Sequence, residues 1–341
     1  MGRANVSLVN LGCRVNRAEL DAIGRELSRE GIRIVCRDEA EAIVVNTCAV
    51  TSEAQTKTRR ALRRAAEEPG VRAIVATGCA ASLFSAELEA LDPRIVVEPE
   101  RERVAQRVAH LLGLGHDGGG AEADQAFCGG AVTPTGRMRP GLKVQDGCDR
   151  RCSYCIVWKA RGPARSMPPE RVVACVGKLV SDGAREVVLT GIDLGRYESG
   201  GVGLSGLLAR ILEQTSVGRV RLSSVEPAGV TEELLDLIAS SAGRVAPFLH
   251  VPLQSGCDAT LARMARPYTS EAYACMAERA KAIVPGIALS TDVIVGFPGE
   301  TDAEFQESHA LCASLGFSRL HVFLYSRRPG TAAAAMKSQV D

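Results

Sequence analysis

Apolar residues in the first third of the chain come in short continuous runs, separated by segments with a helical period. Residues 6–10, 32–35, 42–45 and 73–76 read as strands, and amphipathic patterns over about 17–29 and 52–67 read as helices. Runs that are apolar at every position are buried on both faces, the state of a parallel sheet covered by helices. Both periods break between 113 and 140, where Gly113-Leu-Gly-His-Asp-Gly-Gly-Gly120 and Pro134-Thr-Gly136 mark a connection. Beyond it, six strand candidates (142–146, 186–190, 219–223, 248–253, 288–295 and 319–325) alternate with helical patterns at 169–181, 204–214, 231–241, 257–265, 270–283 and 302–315. Six such repeats fit an incomplete TIM-like barrel, whose ligands bind at the carboxyl ends of the strands. The expected fold is α/β: an open parallel-sheet domain over 1–112, a linker over 113–138, and a partial (β/α)6 barrel over 139–341.

Charge narrows the functions available. Among 341 residues, 41 basic side chains face 40 acidic ones, so a nucleic-acid surface would have to be a local patch. Thr56-Lys-Thr-Arg-Arg-Ala-Leu-Arg-Arg64 is such a patch, with Lys57, Arg59, Arg60, Arg63 and Arg64 on one predicted helix. It is either a solvated face or a surface that neutralises phosphates. No stretch is long and apolar enough to span a bilayer, and no signal-peptide core opens the chain. Met1-Gly2 does not begin a myristoylation motif, because Val6 stands where Ser or Thr is needed. Twelve cysteines without an export signal point to reduced thiols and metal ligation in the cytoplasm.

The cysteines carry the chemistry. Cys148-Asp-Arg-Arg-Cys152-Ser-Tyr-Cys155 places three thiols within eight residues, directly after the first barrel strand. A structural zinc site needs four ligands and none follows nearby; a [4Fe–4S] cluster on three thiolates keeps one iron open for a substrate. The plainer alternative is a zinc or redox loop completed by a distant residue. A second set, Cys13, Cys48 and Cys79, lies just past the carboxyl ends of three predicted parallel strands, the edge where α/β sheets bind ligands. These thiols form a second cluster site, or else three small buried side chains. Cys128 has no partner spacing. Polar residues follow every barrel strand: Asp146-Gly-Cys148, Thr190 to Gly195, Ser223 to Glu226, His250 to Gly256, Ser290 to Glu300, and Tyr325-Ser-Arg327. That recurrence predicts a polar cavity.

The C-x₃-C-x₂-C loop resembles that of the radical S-adenosylmethionine (SAM) superfamily. The resemblance implies that the open iron chelates the amino and carboxylate groups of SAM, and that an electron from the cluster cleaves the sulfonium to a 5′-deoxyadenosyl radical. Asp193, Glu226 and Gln254 are then the candidate SAM-lining residues. Leu11-Gly-Cys-Arg-Val-Asn16, Asn46-Thr-Cys48 and Thr77-Gly-Cys79 extend the resemblance to the methylthiotransferases of that superfamily. This implies an auxiliary [4Fe–4S] cluster on Cys13, Cys48 and Cys79 that presents the sulfur to be transferred. SAM would serve twice, as methyl donor and as radical source, with an external electron donor. Gln145-Asp-Gly-Cys148, Ala160-Arg-Gly-Pro163, Arg165-Ser166, Leu189 to Gly195, Leu222 to Pro227 and His250 to Gly256 look like the threonylcarbamoyladenosine (t⁶A) branch, whose substrate is tRNA methylthiolated at C2 of that adenine. Sister branches act on isopentenyladenosine in tRNA or on a ribosomal-protein aspartate, and a two-cluster electron-transfer protein would need the same six cysteines. Arg161 and Arg165, beside the cluster loop, join the helix cations as candidate RNA contacts. Three features depart from the family pattern: Trp158-Lys159 replaces Pro-Tyr, Cys257 replaces Ser, and the chain stops soon after the sixth strand, so the C-terminal RNA-binding TRAM domain is expected to be absent.

Overall fold

The structure is a computed structural model that describes residues 4–114 and 139–340. Residues 115–138, which hold most of the expected linker and Cys128, lie outside the described residues. Packing divides the chain into two compact units. One comprises Met1–Lys143, Lys159–Arg161 and Ala174–Val187; the other comprises Val144–Trp158, Gly162–Val173 and Val188–Asp341.

In the first unit, strands β1 (Asn5–Asn10), β2 (Arg33–Ile34), β3 (Ala42–Thr47), β4 (Ala73–Gly78) and β5 (Ile95–Val97) form one parallel sheet in the order β2-β1-β3-β4-β5. The continuous apolar runs have the expected cause. Val44 and Val75 pack into one core with Leu20, Ile23 and Leu27. The alternate residues Ile43, Val45, Ile74 and Ala76 pack into another, on the opposite face, with Leu62 and Leu88. Helix α1 (Arg14–Arg29) supplies the first cover and helix α2 (Ser52–Ala66) the second. α2 is started by Thr51, whose hydroxyl accepts from the Ala54 amide at 3.1 Å. In this strand order the winding turns from one side of the sheet to the other between β1 and β3, the switch point at whose carboxyl ends such sheets bind ligands. The sequence reading missed β5, whose three residues are too few to show a period, and the two-turn helix Val104–Leu111.

In the second half of the chain the barrel strands are β6 (Gly141–Lys143), β7 (Glu186–Thr190), β8 (Arg219–Leu222), β9 (Phe248–His250), β10 (Ala288–Val295) and β11 (Arg319–Leu324). They form two three-stranded sheets, β8-β7-β6 and β9-β10-β11, with parallel bridges Val220–Val245 and Ser224–His250 continuing from one to the next. Six helices lie within one or two residues of the expected ranges, from Pro169–Ser181 to Asp302–Leu315. Two strands fall short of the expected range by more than one residue. The first gives way at Gln145-Asp146 to a short antiparallel pairing with Arg165-Ser166. The fourth stops at His250, two residues before Pro252, which cannot donate to a ladder. No helix among the described residues is long and apolar enough to cross a membrane.

Candidate metal centres

The three N-terminal cysteines end neighbouring strands. Cys13 caps α1 three residues after β1, Cys48 follows β3 directly, and Cys79 follows β4 and opens the short helix α3 (Cys79–Leu83). The registers Asn10–Asn46 and Asn46–Thr77 keep these ends level. Side chains quoted as motif letters hold the edge together. Asn16 Nδ2 donates to Asn46 Oδ1 at 2.9 Å and to the Thr47 carbonyl at 3.0 Å, Asn46 Nδ2 donates to the Asn16 carbonyl at 2.7 Å, and the Cys13 thiol donates to Asn16 Oδ1 at 3.2 Å. Gly78 has φ +94°, and a Cβ there would overlap Asn46 Oδ1, so this position requires glycine. Both asparagines are buried and fully engaged, the condition for a polar cluster of this kind to hold one shape.

A carboxylate lies beneath this edge. Glu19 accepts from Arg161 Nη1 and Lys143 Nζ at 2.8 Å each and pairs with Arg101 Nε at 2.9 Å. Burial would raise Glu19, but the three cations outweigh it and hold its carboxyl at about 2. Arg161 also donates through Nε to Cys79 Sγ at 3.3 Å. This corrects the expectation that Arg161 contacts RNA: its side chain is 0% exposed and its donors point at Glu19, Asn16 and Cys79.

The 148–155 loop is built differently. Gly147, at φ +70°, allows the chain to pass so close to the Pro163 carbonyl that a Cβ would overlap it. The Cys148 amide donates to the Gly162 carbonyl at 3.1 Å, and Ser153 Oγ to the Arg263 carbonyl at 2.8 Å. Arg266 donates to Cys152 Sγ at 3.3 Å and pairs with Glu226. Cys148 and Cys155 are partly exposed and Cys152 is buried. Trp158, where the family pattern departs, carries the Arg151 guanidinium 3.9 Å from its ring centre. Cys257 is a buried thiol.

Of the three candidate SAM-lining residues, two stand beside this loop. Asp193 is buried, pairs with Arg150 through Oδ2 at 3.1 Å, and its Oδ1 has no hydrogen-bond partner among the described residues. Thr190 Oγ1 and Ser223 Oγ, on adjacent strand ends, are likewise buried and unpartnered. Buried polar atoms left without partners at three neighbouring points fit a polar ligand such as SAM. Gln145 Oε1 shapes this turn by accepting from the Ile192 and Asp193 amides at 2.9 Å each. Glu226 reaches the loop through Arg266. Gln254, the third candidate, has φ +69° and a backbone bonded to Asp292 and Ile294. Sequence reasoning missed Arg150, Arg266 and Glu19. It also missed that Asp292 lies between His250 and His321, at 3.2 and 3.0 Å.

Each set is three thiols close enough to couple electrostatically, Cys13 and Cys48 with Cys79 and Cys155 with Cys148 and Cys152, and three thiolates are the donors of a [4Fe–4S] cluster that keeps one iron open. Burial pushes Cys48 up to about 11 and Cys155 up to about 12, so cluster binding at neutral pH must displace their protons. On α2, Lys57 is exposed beside Glu53, and Arg59 is half-exposed, 3.7 Å from Glu87. Arg60, Arg63 and Arg64 are exposed with no acidic partner within 4 Å among the described residues. Arg165 is exposed and pairs with Asp146 at 3.0 Å.

A three-cysteine loop after the first strand of a six-stranded (β/α) barrel defines the radical SAM class, and residues 142–312 match the family described as the Radical SAM superfamily. Residues 5–98 match the family described as Uncharacterized protein family UPF0004. Among curated proteins, the chain is 36% identical to the threonylcarbamoyladenosine tRNA methylthiotransferase MtaB of Bacillus subtilis, over 99% of this chain and 77% of that one. It is 34% identical to the protein of that name in Chlamydia pneumoniae, over 99% and 78%. It is 33% identical to the tRNA-2-methylthio-N(6)-dimethylallyladenosine synthase of Novosphingobium aromaticivorans, over 97% and 77%. The radical SAM methyltransferase TsrM of Kitasatospora setae shares the fold, with a TM-score of 0.68 at 17% identity over 97% of this chain and 77% of that one. The chain belongs to the radical SAM methylthiotransferase family, and SAM and a [4Fe–4S] cluster are the cofactors of its class.

Proposed function

We propose that this protein transfers a methylthio group to C2 of the adenine in t⁶A, beside the anticodon of tRNA. The observation that carries the reading is the second three-thiol set at the carboxyl edge of the N-terminal sheet, because radical generation alone needs one cluster. Cys148, Cys152 and Cys155 hold the cluster that cleaves SAM. Cys13, Cys48 and Cys79 hold an auxiliary [4Fe–4S] cluster. When bound, these groups and SAM supply a 5′-deoxyadenosyl radical and the sulfur to be methylated and transferred. The chain's own residues orient and enclose: Asp193 and Glu226, braced by Arg150 and Arg266, line the SAM site together with Gln254. Lys57, Arg59, Arg60, Arg63 and Arg64 on α2, with Arg165, offer cations to tRNA phosphates. We read 1–112 and 139–341 as the two domains, 113–138 as their linker, and the cytoplasm, with a low-potential electron donor, as the setting.

The t⁶A substrate is favoured by the relatives of that name. The dimethylallyladenosine synthases among the relatives support the runner-up, isopentenyladenosine tRNA. The test gives the anaerobically reconstituted protein SAM, a reductant and tRNA carrying one or the other modified adenosine, followed by mass spectrometry of the nucleosides. Methylthiolated t⁶A is the expected product. Methylthiolation of the isopentenyl tRNA alone would move the protein to the sister branch.

A further inference from the structure

Arg161 follows Cys155 by six residues in sequence, yet its donors serve the other cysteine set. Its two Nη atoms are fixed by Glu19, at 2.8 and 3.2 Å, and by Asn16 Oδ1 at 3.3 Å, which leaves Nε aimed at Cys79 Sγ at 3.3 Å. The guanidinium is planar and its side chain fully buried, so fixing one edge fixes the other. The carboxylate that anchors it is shared with Lys143 and Arg101, all three cations being at most 10% exposed. Glu19 therefore does not cancel the charge of Arg161 by itself. Asn16 extends the same network to the Cys13 thiol.

We propose that Arg161 is a positioning residue for the auxiliary cluster: its guanidinium hydrogen-bonds the Cys79 thiolate and, with Lys143 and Arg101 around Glu19, stabilises the state of the centre that carries one more negative charge. The proposal rests on the reading that Cys13, Cys48 and Cys79 hold a [4Fe–4S] cluster. Hydrogen bonds to cluster sulfurs and net charge nearby are two of the levers that set such a potential. In the step concerned, one electron passes from a low-potential one-electron reductant into the cluster. No bond forms or breaks and no proton moves.

The test uses the full chain with Cys148, Cys152 and Cys155 replaced by Ala, so that only the auxiliary cluster remains, titrated with reductant and followed by electron paramagnetic resonance. Arg161→Gln should lower the reduced-to-oxidised ratio at a fixed potential by at least about tenfold, which for a one-electron couple is about 59 mV. Arg161→Lys, which keeps the charge and loses the fork, should lower it by a smaller factor. So should Lys143→Met, which removes a cation bonded to Glu19 and serves as the second arm if Arg161→Gln fails to hold a cluster. A purely structural role would reduce cluster content and leave the potential of the surviving cluster unchanged. An unchanged ratio in the cluster-bearing variants overturns the proposal. Absence of any cluster in the triple-alanine parent would instead overturn the reading it rests on.

Discussion

Replacing Glu19 by Gln should destabilise the N-terminal sheet by about 3 kcal/mol, a figure reached by two routes. Burial raises this carboxyl, and Arg161, Lys143 and Arg101 take it from 4.5 to about 2. At roughly 1.4 kcal/mol per pH unit, that depression corresponds to about 3 kcal/mol of folding free energy. Independently, removing one member of a buried ion pair costs roughly 3–5 kcal/mol, because the remaining charges stay buried and unpaired. Glu19 is 1% exposed, so solvent screening does not discount the value. Since the folded group is the more acidic, the stabilisation is fully present above the ordinary carboxyl range, falls as pH drops below about 4.5, and is gone near pH 2. The assay is amide hydrogen exchange by mass spectrometry on peptides of β1, β3 and β4 at pH 7, with the metal-free protein. About 3 kcal/mol should speed their exchange about a hundredfold. Glu87→Gln is the control: Glu87 is 61% exposed and 3.7 Å from Arg59, and such a pair contributes at most about 1 kcal/mol. Less than tenfold acceleration in Glu19→Gln, or equal effects in the two variants, would refute the argument.

Two further predictions concern RNA and metal loading. Changing Arg60, Arg63 and Arg64 to Glu should weaken tRNA binding and flatten its salt dependence by roughly 0.7 log–log units per lost phosphate contact, with iron content unchanged; an unaltered affinity and slope would make these arginines a solvated face. Because burial holds the Cys48 thiol at about 11 and Cys155 at about 12, iron loading should release protons and strengthen as pH rises toward those values. Iron uptake without proton release, read in weakly buffered solution with an indicator dye, would contradict this.

The cysteine sets were legible in the sequence because parallel strands bring positions far apart in the chain to one edge. The runs before Cys48 and Cys79 are apolar at every position, Ala42–Val45 and Ala73–Ala76, and the one before Cys13 is interrupted only by Ser7 and Asn10, so a buried parallel sheet could be read without knowing the fold. The strand-end signal also singled out Asp193 and Glu226, which stand beside the Cys148 loop through Arg150 and Arg266. What sequence could not supply was the partner of each group. Arg266 reaches Cys152 across 114 residues from a stretch with no distinguishing pattern. Glu19 looks like any acid on an amphipathic helix until Lys143, 124 residues later, lies against it. Arg161 was misread for the same reason: a cation near a cluster loop reveals its charge, while the side it faces depends on α1 and Glu19. The three-residue β5 and the early end of β9 at Pro252 are local effects too small for periodicity to register.

Whether Cys13, Cys48 and Cys79 carry a cluster of their own is tested most directly by iron and sulfide counting on the anaerobically reconstituted protein. The parent should hold two [4Fe–4S] clusters, about eight irons per chain. Replacing Cys148, Cys152 and Cys155 by Ala, or Cys13, Cys48 and Cys79 by Ala, should leave about four irons in either case. Only the second variant should still convert SAM to 5′-deoxyadenosine, and it should form no methylthiolated product. A parent that holds a single cluster, or an N-terminal triple variant that keeps the parent's full iron count, would contradict the account.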